Sequence, residues 1–272
     1  MAKFWSLVFL LVPILGVAIF AVSPGYKWWL PPDISVHGRT IDHLFYFILY
    51  LTGAAFVVTE GALFWFLWRF NSTDNRDPVK FTHGSHALEV VWTILPAATL
   101  LFIAIYQMNA WAESKIDKPQ MPSTLEVMAR QFEWRLRYPY PHPNLSDPQD
   151  VEDCKLGGKK NIFLVNDLHI PVNEEIVLDL KSADVLHSFF LPNMRVKQDA
   201  VPGMKIPVWF RATTTGTYDL ACAELCGWGH YKMKGRLTVE SRAQFDEWLV
   251  KKYQEQQATQ EAPAAAKSED SP

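Results

Sequence analysis

The sequence predicts a membrane-anchored all-β protein, with N-terminal transmembrane helices followed by a Greek-key β-sandwich or barrel. Three observations predict it. Residues 1–111 hold three long apolar stretches, and from Thr124 the pattern changes to short strands punctuated by Pro, Gly and Asn. Late in that second part, Cys222 to Met233 is dense in metal-ligating side chains.

The first apolar stretch runs from Phe4 to Val22 with only Lys3 before it. It reads as a first transmembrane helix or a signal peptide. Its length of about 19 residues exceeds the usual apolar core of a signal peptide, and Pro24 after Ala-Val-Ser is a poor cleavage context, so a retained span is preferred. The second stretch is Leu44–Trp68 and the third Leu88–Trp111. Each is long enough to cross about 30 Å of hydrocarbon at about 1.5 Å per residue. Pro96 predicts a kink in the third, which neighbouring helices tolerate.

Basic residues set the orientation. Arg69, Arg76 and Lys80 lie between the second and third stretches, against Lys27 and Arg39 between the first and second. The positive-inside tendency puts the 69–87 loop in the cytoplasm and everything after Trp111 on the outer face. Abundant rings, Trp 11 and Phe 17, suit membrane interfaces. A net charge of −3 argues against nucleic acid as a partner. Glu60 lies deep in the second stretch, where an acid is a functional candidate; a hydrogen bond to a neighbouring subunit is expected. Glu89 opens the third, where an acid gains from the positive end of the helix dipole.

In the outer part, Thr-Leu-Glu-Val-Met-Ala from Thr124, Asn-Ile-Phe-Leu-Val from Asn161 and Glu-Ile-Val-Leu-Asp-Leu from Glu175 read as strands. Ile-Pro-Val-Trp-Phe from Ile206 and Gly-Arg-Leu-Thr-Val from Gly235 do the same. Even spacing of short strands argues a sandwich or barrel. Ser241 caps a closing helix over 241–254, and composition from Glu255 onward predicts a disordered tail. The expected divisions are 1–23, first transmembrane helix or signal peptide; 24–111, transmembrane hairpin with flanking loops; 112–254, outer-face domain with closing helix; and 255–272, tail.

Cys222, Cys226, His230 and Met233 are spaced by four, four and three. That spacing would line a helix face, but Gly227 and Gly229 favour a loop. Thiolate, imidazole and a weak thioether together suit copper in an electron-transfer site. Two cysteines on one loop can bridge two copper ions. Three other readings compete: a Cys-x3-Cys disulfide, structural zinc on cysteine and histidine, or a methionine that merely packs in the core. Three cysteines are too few for a disulfide framework. Cys154 is left over as a free loop thiol. A second imidazole comes from His187 in Asp184-Val-Leu-His-Ser-Phe-Phe-Leu-Pro.

His187 followed by Cys-x-Glu-x-Cys-x3-His-x2-Met resembles subunit II of the haem–copper cytochrome c oxidases, which carries a binuclear copper centre, CuA. The match runs from about residue 35 to about residue 250. The resemblance implies a cupredoxin-like outer domain with its ligands on loops at one end, His187 from one and the rest from another. It implies that Cys222 and Cys226 bridge two copper ions, that His187 and Met233 complete one, and that His230 and the Glu224 carbonyl complete the other. The Glu224 side chain would reach a magnesium ion shared with subunit I, and Glu89 would lie at the mouth of that subunit's proton channel. His169, His142, His83 and His86 fall outside the motif and are expected to be structural or solvated.

The implied partners are oxidase subunits I and III, a cytochrome c-type donor and the lipid bilayer. The implied location is a bacterial inner membrane, crossed more than once, with the copper domain on the outer face. Electrons would pass to the haem of subunit I, where oxygen is reduced and protons are pumped. The likeness frays at Ala129–Tyr138. Phe132 stands where the family has the Trp that takes the electron from the donor, while Trp134 matches the family's second Trp. Either ring could make the contact, and core aromatics on a strand is the competing reading. Arg135 and Arg137 suggest a less basic donor than lysine-rich cytochrome c. A quinol oxidase subunit would lack the copper ligands. A copper-bearing nitric oxide reductase subunit and a non-redox copper or zinc module are the remaining alternatives.

Overall fold

The computed structural model describes residues 2–70, 81, 83–139 and 161–265. Arg76, Lys80, His142, Cys154 and residues 266–272 lie outside the described residues. The chain divides into two units, one of Met1–Pro31 with Thr40–Trp111, the other of Pro32–Arg39 with Ala112–Pro272.

The helices are α1 (Ala2–Val22), α2 (Gly38–Arg69) and α3 (His86–Tyr106), with α4 (Met108–Lys115) following a break at Gln107. Among the described residues, three helical stretches are long and apolar enough to cross a membrane: Lys3–Tyr26, Gly38–Arg69 and His86–Lys115. Helix α2 begins six residues before the expected Leu44, because Gly38-Arg-Thr-Ile-Asp-His is too polar for hydropathy to register. Ser85 caps α3, accepting from the Leu88 N–H at 3.5 Å, and α3 runs on through Pro96. Within this unit Phe47 packs on Phe102 and Tyr106, and Trp29 on Phe20 and Tyr46. Most large apolar side chains nevertheless face outward.

The other unit is a sandwich with ten strands among its described residues: β1 (Leu125–Arg130), β2 (Glu133–Pro139), β3 (Asn161–Val165), β4 (Asp167–Pro171), β5 (Glu175–Ser182), β6 (His187–Leu191), β7 (Val196–Ala200), β8 (Ile206–Arg211), β9 (Gly216–Cys222) and β10 (Lys234–Glu240). One five-stranded sheet has the order β3-β2-β1-β5-β8, the other β4-β10-β9-β6-β7. The chain changes sheet five times between β3 and β9, so the two sheets are laced together in Greek-key fashion. The five predicted strands are β1, β3, β5, β8 and β10. Strands β4, β7 and β9 carry too many polar residues to announce themselves, and β6 offers only the short apolar run Phe189-Phe-Leu.

Period-two alternation builds the core. Trp134, Leu136 and Tyr138 of β2 point inward, while Arg135 and Arg137 point out. They meet Leu125, Val127, Leu178 and Leu180 of their own sheet and Leu168, Phe189, Leu220 and Leu237 of the other. Tyr138 ties the sheets by donating to the His169 carbonyl at 2.9 Å and accepting from the His169 N–H at 2.8 Å.

Two boundaries differ from expectation. The segment before α2 belongs to the sandwich: Ile34 is 3% exposed, its N–H donates to Asn193 O at 3.0 Å, and its carbonyl accepts from Thr213 at 2.7 Å. A short apolar segment in a Pro-rich linker gives no sequence sign of that pairing. At the other end, α5 (Arg242–Ala265) continues past Glu255, where a disordered tail was expected. Gln256 donates to Asn161 O at 2.8 Å and accepts from the Phe163 N–H at 2.9 Å. Bonds to the edge strand thus hold a segment whose composition alone would not order. A capping box starts the helix: Ser241 Oγ accepts from the Gln244 N–H, and Gln244 Oε1 accepts from the Ser241 N–H at 3.1 Å.

Candidate metal centre

Strands β6 and β9 are antiparallel neighbours with Phe189 opposite Cys222. His187 opens β6 and Cys222 closes β9. Two ligands therefore stand on strand ends, not on loops as expected, and the sheet's hydrogen bonds fix their separation. The remaining ligands come from the 223–233 excursion, which is closed at its base by the Cys222 N–H donating to Met233 O at 3.1 Å. His230–Lys232 forms a single 3-10 turn before Met233. Gly227 holds a φ of +131°, open only to glycine at little cost. At Gly229 a Cβ would drive into the Phe132 ring.

These elements bring all the motif side chains together. Cys222 Sγ and Cys226 Sγ are 3.9 Å apart and both thiols are free; a disulfide would need about 2.05 Å. Cys226 Sγ is 3.7 Å from His230 Nδ1 and 3.8 Å from Met233 Sδ. Cys222 Sγ lies 3.2 Å from the Glu224 carbonyl. Ligating atoms of His187, Cys222 and Cys226 all lie within 4.8 Å of one another.

The imidazole of His187 is wholly buried, and its Nδ1 has no hydrogen-bond partner among the described residues. A buried acceptor without a donor is costly unless something else fills it. Nε2 is 2.7 Å from Asp184 Oδ1. Nε2 is placed to donate to that carboxylate, which leaves Nδ1 as the ring nitrogen open to a metal, the arrangement of a metal-ligating histidine. Asp184 also accepts from the Gln131 N–H at 2.8 Å, and Gln131 Nε2 donates to Cys226 O at 2.6 Å. Burial opposes ionisation of Asp184, but these donors and His187 outweigh it and hold its carboxyl below the ordinary value. Asp184 and Gln131 were not singled out in the sequence; the Asp-x-x-His spacing was the available signal.

Burial, and then the neighbouring Cys222, push the Cys226 thiol up to about 11. A metal must displace that proton to bind. Soft sulfur, imidazole and thioether donors, with one buried ring nitrogen left without a partner, fit copper and do not resemble a thioether-free zinc site.

Of the two candidate contact rings, Trp134 is wholly buried, edge-on to His187 and Phe189. Phe132 is half-buried over the glycines of the ligand loop. Arg135 pairs with Glu133 at 2.7 Å, whereas Arg137 shares the Glu126 carboxylate, 2.9 Å away, with Lys181 at 2.6 Å, so that cluster keeps one net positive charge. His169 is structural, stacked on Trp248 at 3.9 Å and bonded to Glu240 at 2.8 Å. His83 and His86 are exposed. Glu89 lies in the first turn of α3, 3.4 Å from His86. One carboxylate oxygen of Glu60 is buried with no partner among the described residues.

Apolar helices ahead of a cupredoxin-like sandwich, with two thiolates, two imidazoles and a thioether at one end, define a membrane-anchored copper electron-transfer protein. Comparison with known proteins narrows this further. Residues 124–241 match the family profile for the periplasmic domain of cytochrome c oxidase subunit II, and residues 26–110 match that for its transmembrane domain. A probable cytochrome c oxidase subunit 2 of Rickettsia felis is 32% identical over 259 residues, covering 92% of this chain and 81% of the relative. An alternative cytochrome c oxidase subunit 2 of Bradyrhizobium diazoefficiens is 29% identical over 255 residues, 90% of each chain. The solved periplasmic domain of subunit II from Bradyrhizobium japonicum is 26% identical and covers 50% of this chain and 97% of that one, with a TM-score of 0.42. The chain belongs to the cytochrome c oxidase subunit II family.

Proposed function

We infer that this chain is the subunit through which a haem–copper terminal oxidase receives its electrons. The observation that carries this reading is the convergence of Cys222, Cys226, His230, Met233 and the Glu224 carbonyl, with the unpartnered Nδ1 of buried His187 beside them. Copper held by these residues would supply one-electron transfer between a cytochrome c-type donor and the haem of subunit I, where oxygen is reduced to water and protons are pumped.

Each residue has a defined task. Cys222 and Cys226 would each contribute a thiolate to both copper ions, His187 with Met233 would hold one, and His230 with the Glu224 carbonyl would hold the other. Asp184 holds the His187 tautomer, and Gln131 pins the Cys226 carbonyl. The sandwich core keeps water from the buried sulfurs. Glu224 is half-buried on the ligand loop and is the candidate for magnesium shared with subunit I. Glu89, on an exposed first helical turn, is the candidate for the proton-channel mouth. Trp134 supports His187 from within the core, which leaves Phe132 as the better of the two contact rings. Subunits I and III, a bacterial inner membrane and a periplasmic copper domain complete the picture, with residues 1–23 kept as a span.

The readings as a nitric oxide reductase subunit or a non-redox metal module are not favoured, because the two relatives named above, which cover 92% and 90% of this chain, are cytochrome c oxidase subunits. The test is metal analysis with electron paramagnetic resonance on the purified full-length chain. Two coppers per chain, with one unpaired electron shared over both nuclei, is the expected result. A single copper, bound zinc, or a Cys222–Cys226 disulfide in active protein would overturn the reading.

A further inference from the structure

Between the buried ligands, the same loop turns three large side chains to solvent: Leu225 at 76% exposed, Trp228 at 79% and Tyr231 at 67%. An exposed tryptophan in a ligand loop is costly to leave in water and contributes nothing to the core. Trp228 is connected inward. Its ring meets Phe132 edge to face with centroids 5.2 Å apart, and Phe132 lies against Gly227 and Gly229. Packed rings thus run from solvent to the backbone between Cys226 and His230. Above them, Lys232 Nζ stands 5.4 Å from the Trp228 centroid and 5.5 Å from that of Tyr231. No carboxylate pairs with Lys232 among the described residues, unlike Arg135 and Arg137.

We propose that Trp228 is the ring against which the electron donor seats, and that Lys232 selects a c-type cytochrome whose haem edge is rimmed by apolar and acidic side chains. This rests on the function inferred above. Trp is the residue type most often carrying binding energy at an interface centre, and an uncompensated cation at that centre repels a lysine-rich face. With Phe at position 132, Trp228 places an indole one ring further out. One electron leaves the donor's ferrous iron, which becomes ferric, and reduces the metal site by one; no bond or proton moves.

The test uses the assembled, copper-loaded oxidase with one acidic and one lysine-rich c-type cytochrome, measuring equilibrium binding by surface plasmon resonance and electron transfer by stopped flow. The acidic protein should bind more tightly at low salt, with the preference fading above about 0.15 M. Lys232→Glu should reverse it. Trp228→Ala should weaken binding about tenfold, and Trp228→Phe less, with the copper spectrum unchanged. Tighter binding of the lysine-rich protein to the wild type, or no change in Trp228→Ala, would overturn the proposal. So would release of the catalytic subunit by Trp228→Ala, which would place the ring at a subunit interface. A wild-type oxidase that neither binds nor oxidises either cytochrome would instead sink the inferred function itself.

Discussion

In α2 and α3, none of the most apolar window is buried within the chain, whereas in the sandwich Val127, Trp134, Leu178, Phe189 and Leu237 are fully enclosed. Both regions are rich in apolar residues, yet only one supplies its own interior. The helical unit must find its apolar surroundings in lipid and neighbouring subunits, where backbone groups are satisfied within each helix. The sandwich carries a self-sufficient core, and the metal ligands sit at the end of that core. Apolar content therefore tells that a segment avoids water, but not what it packs against. Precise ligand placement belongs to the region whose packing is internal.

The largest expected effect tests whether the metal site depends on that core and not the reverse. Cys226→Ser should abolish the paired-metal spectrum while leaving the sandwich folded, as judged by circular dichroism on metal-free protein. Unfolding of the metal-free variant would break the comparison. In the wild type, the raised Cys226 thiol keeps its proton at neutral pH. Metal affinity should therefore climb about tenfold per pH unit for each displaced proton, up to about pH 11, which chelator competition at stepped pH would read.

Asp184→Asn comes next. Loss of the carboxylate behind His187 should weaken metal binding about ten- to hundredfold, measured by the same competition. Because the Asp184 carboxyl is held below its ordinary value, its contribution to stability is complete above about pH 4 and is lost as pH falls through the lowered folded value. Acid unfolding of the wild type should show that loss and the variant should not.

Smaller effects sharpen the boundary between the regions. Ile34→Ala removes a nearly buried side chain that precedes α2 but belongs to the sandwich. It should destabilise the β-domain by about 2–4 kcal/mol in a thermal melt; no shift would return residues 32–39 to the helical unit. Ser241→Ala should cost about 1 kcal/mol through loss of the α5 cap, read as faster amide exchange in the first turn of that helix.

Local chemistry was legible in the linear chain. The Cys222–Met233 motif with His187 announced soft-metal ligation, three apolar runs announced helices suited to a membrane, and alternation marked β1, β3, β5, β8 and β10. Those signals are properties of residues within a few positions of one another. Other features exist only once distant segments meet. His187 and Cys222 face each other because Phe189 pairs with Cys222 across two strands. Ile34 joins the core through Asn193 and Thr213, and Gln256 extends α5 by bonding to β3. Asp184 acquires a role from the imidazole it meets, Arg135 pairs with Glu133, and Arg137 shares Glu126 with Lys181. Hydropathy and spacing carry no information about such long-range partners, so the ligand types came from the sequence and their geometry, partners and net charge from the tertiary fold.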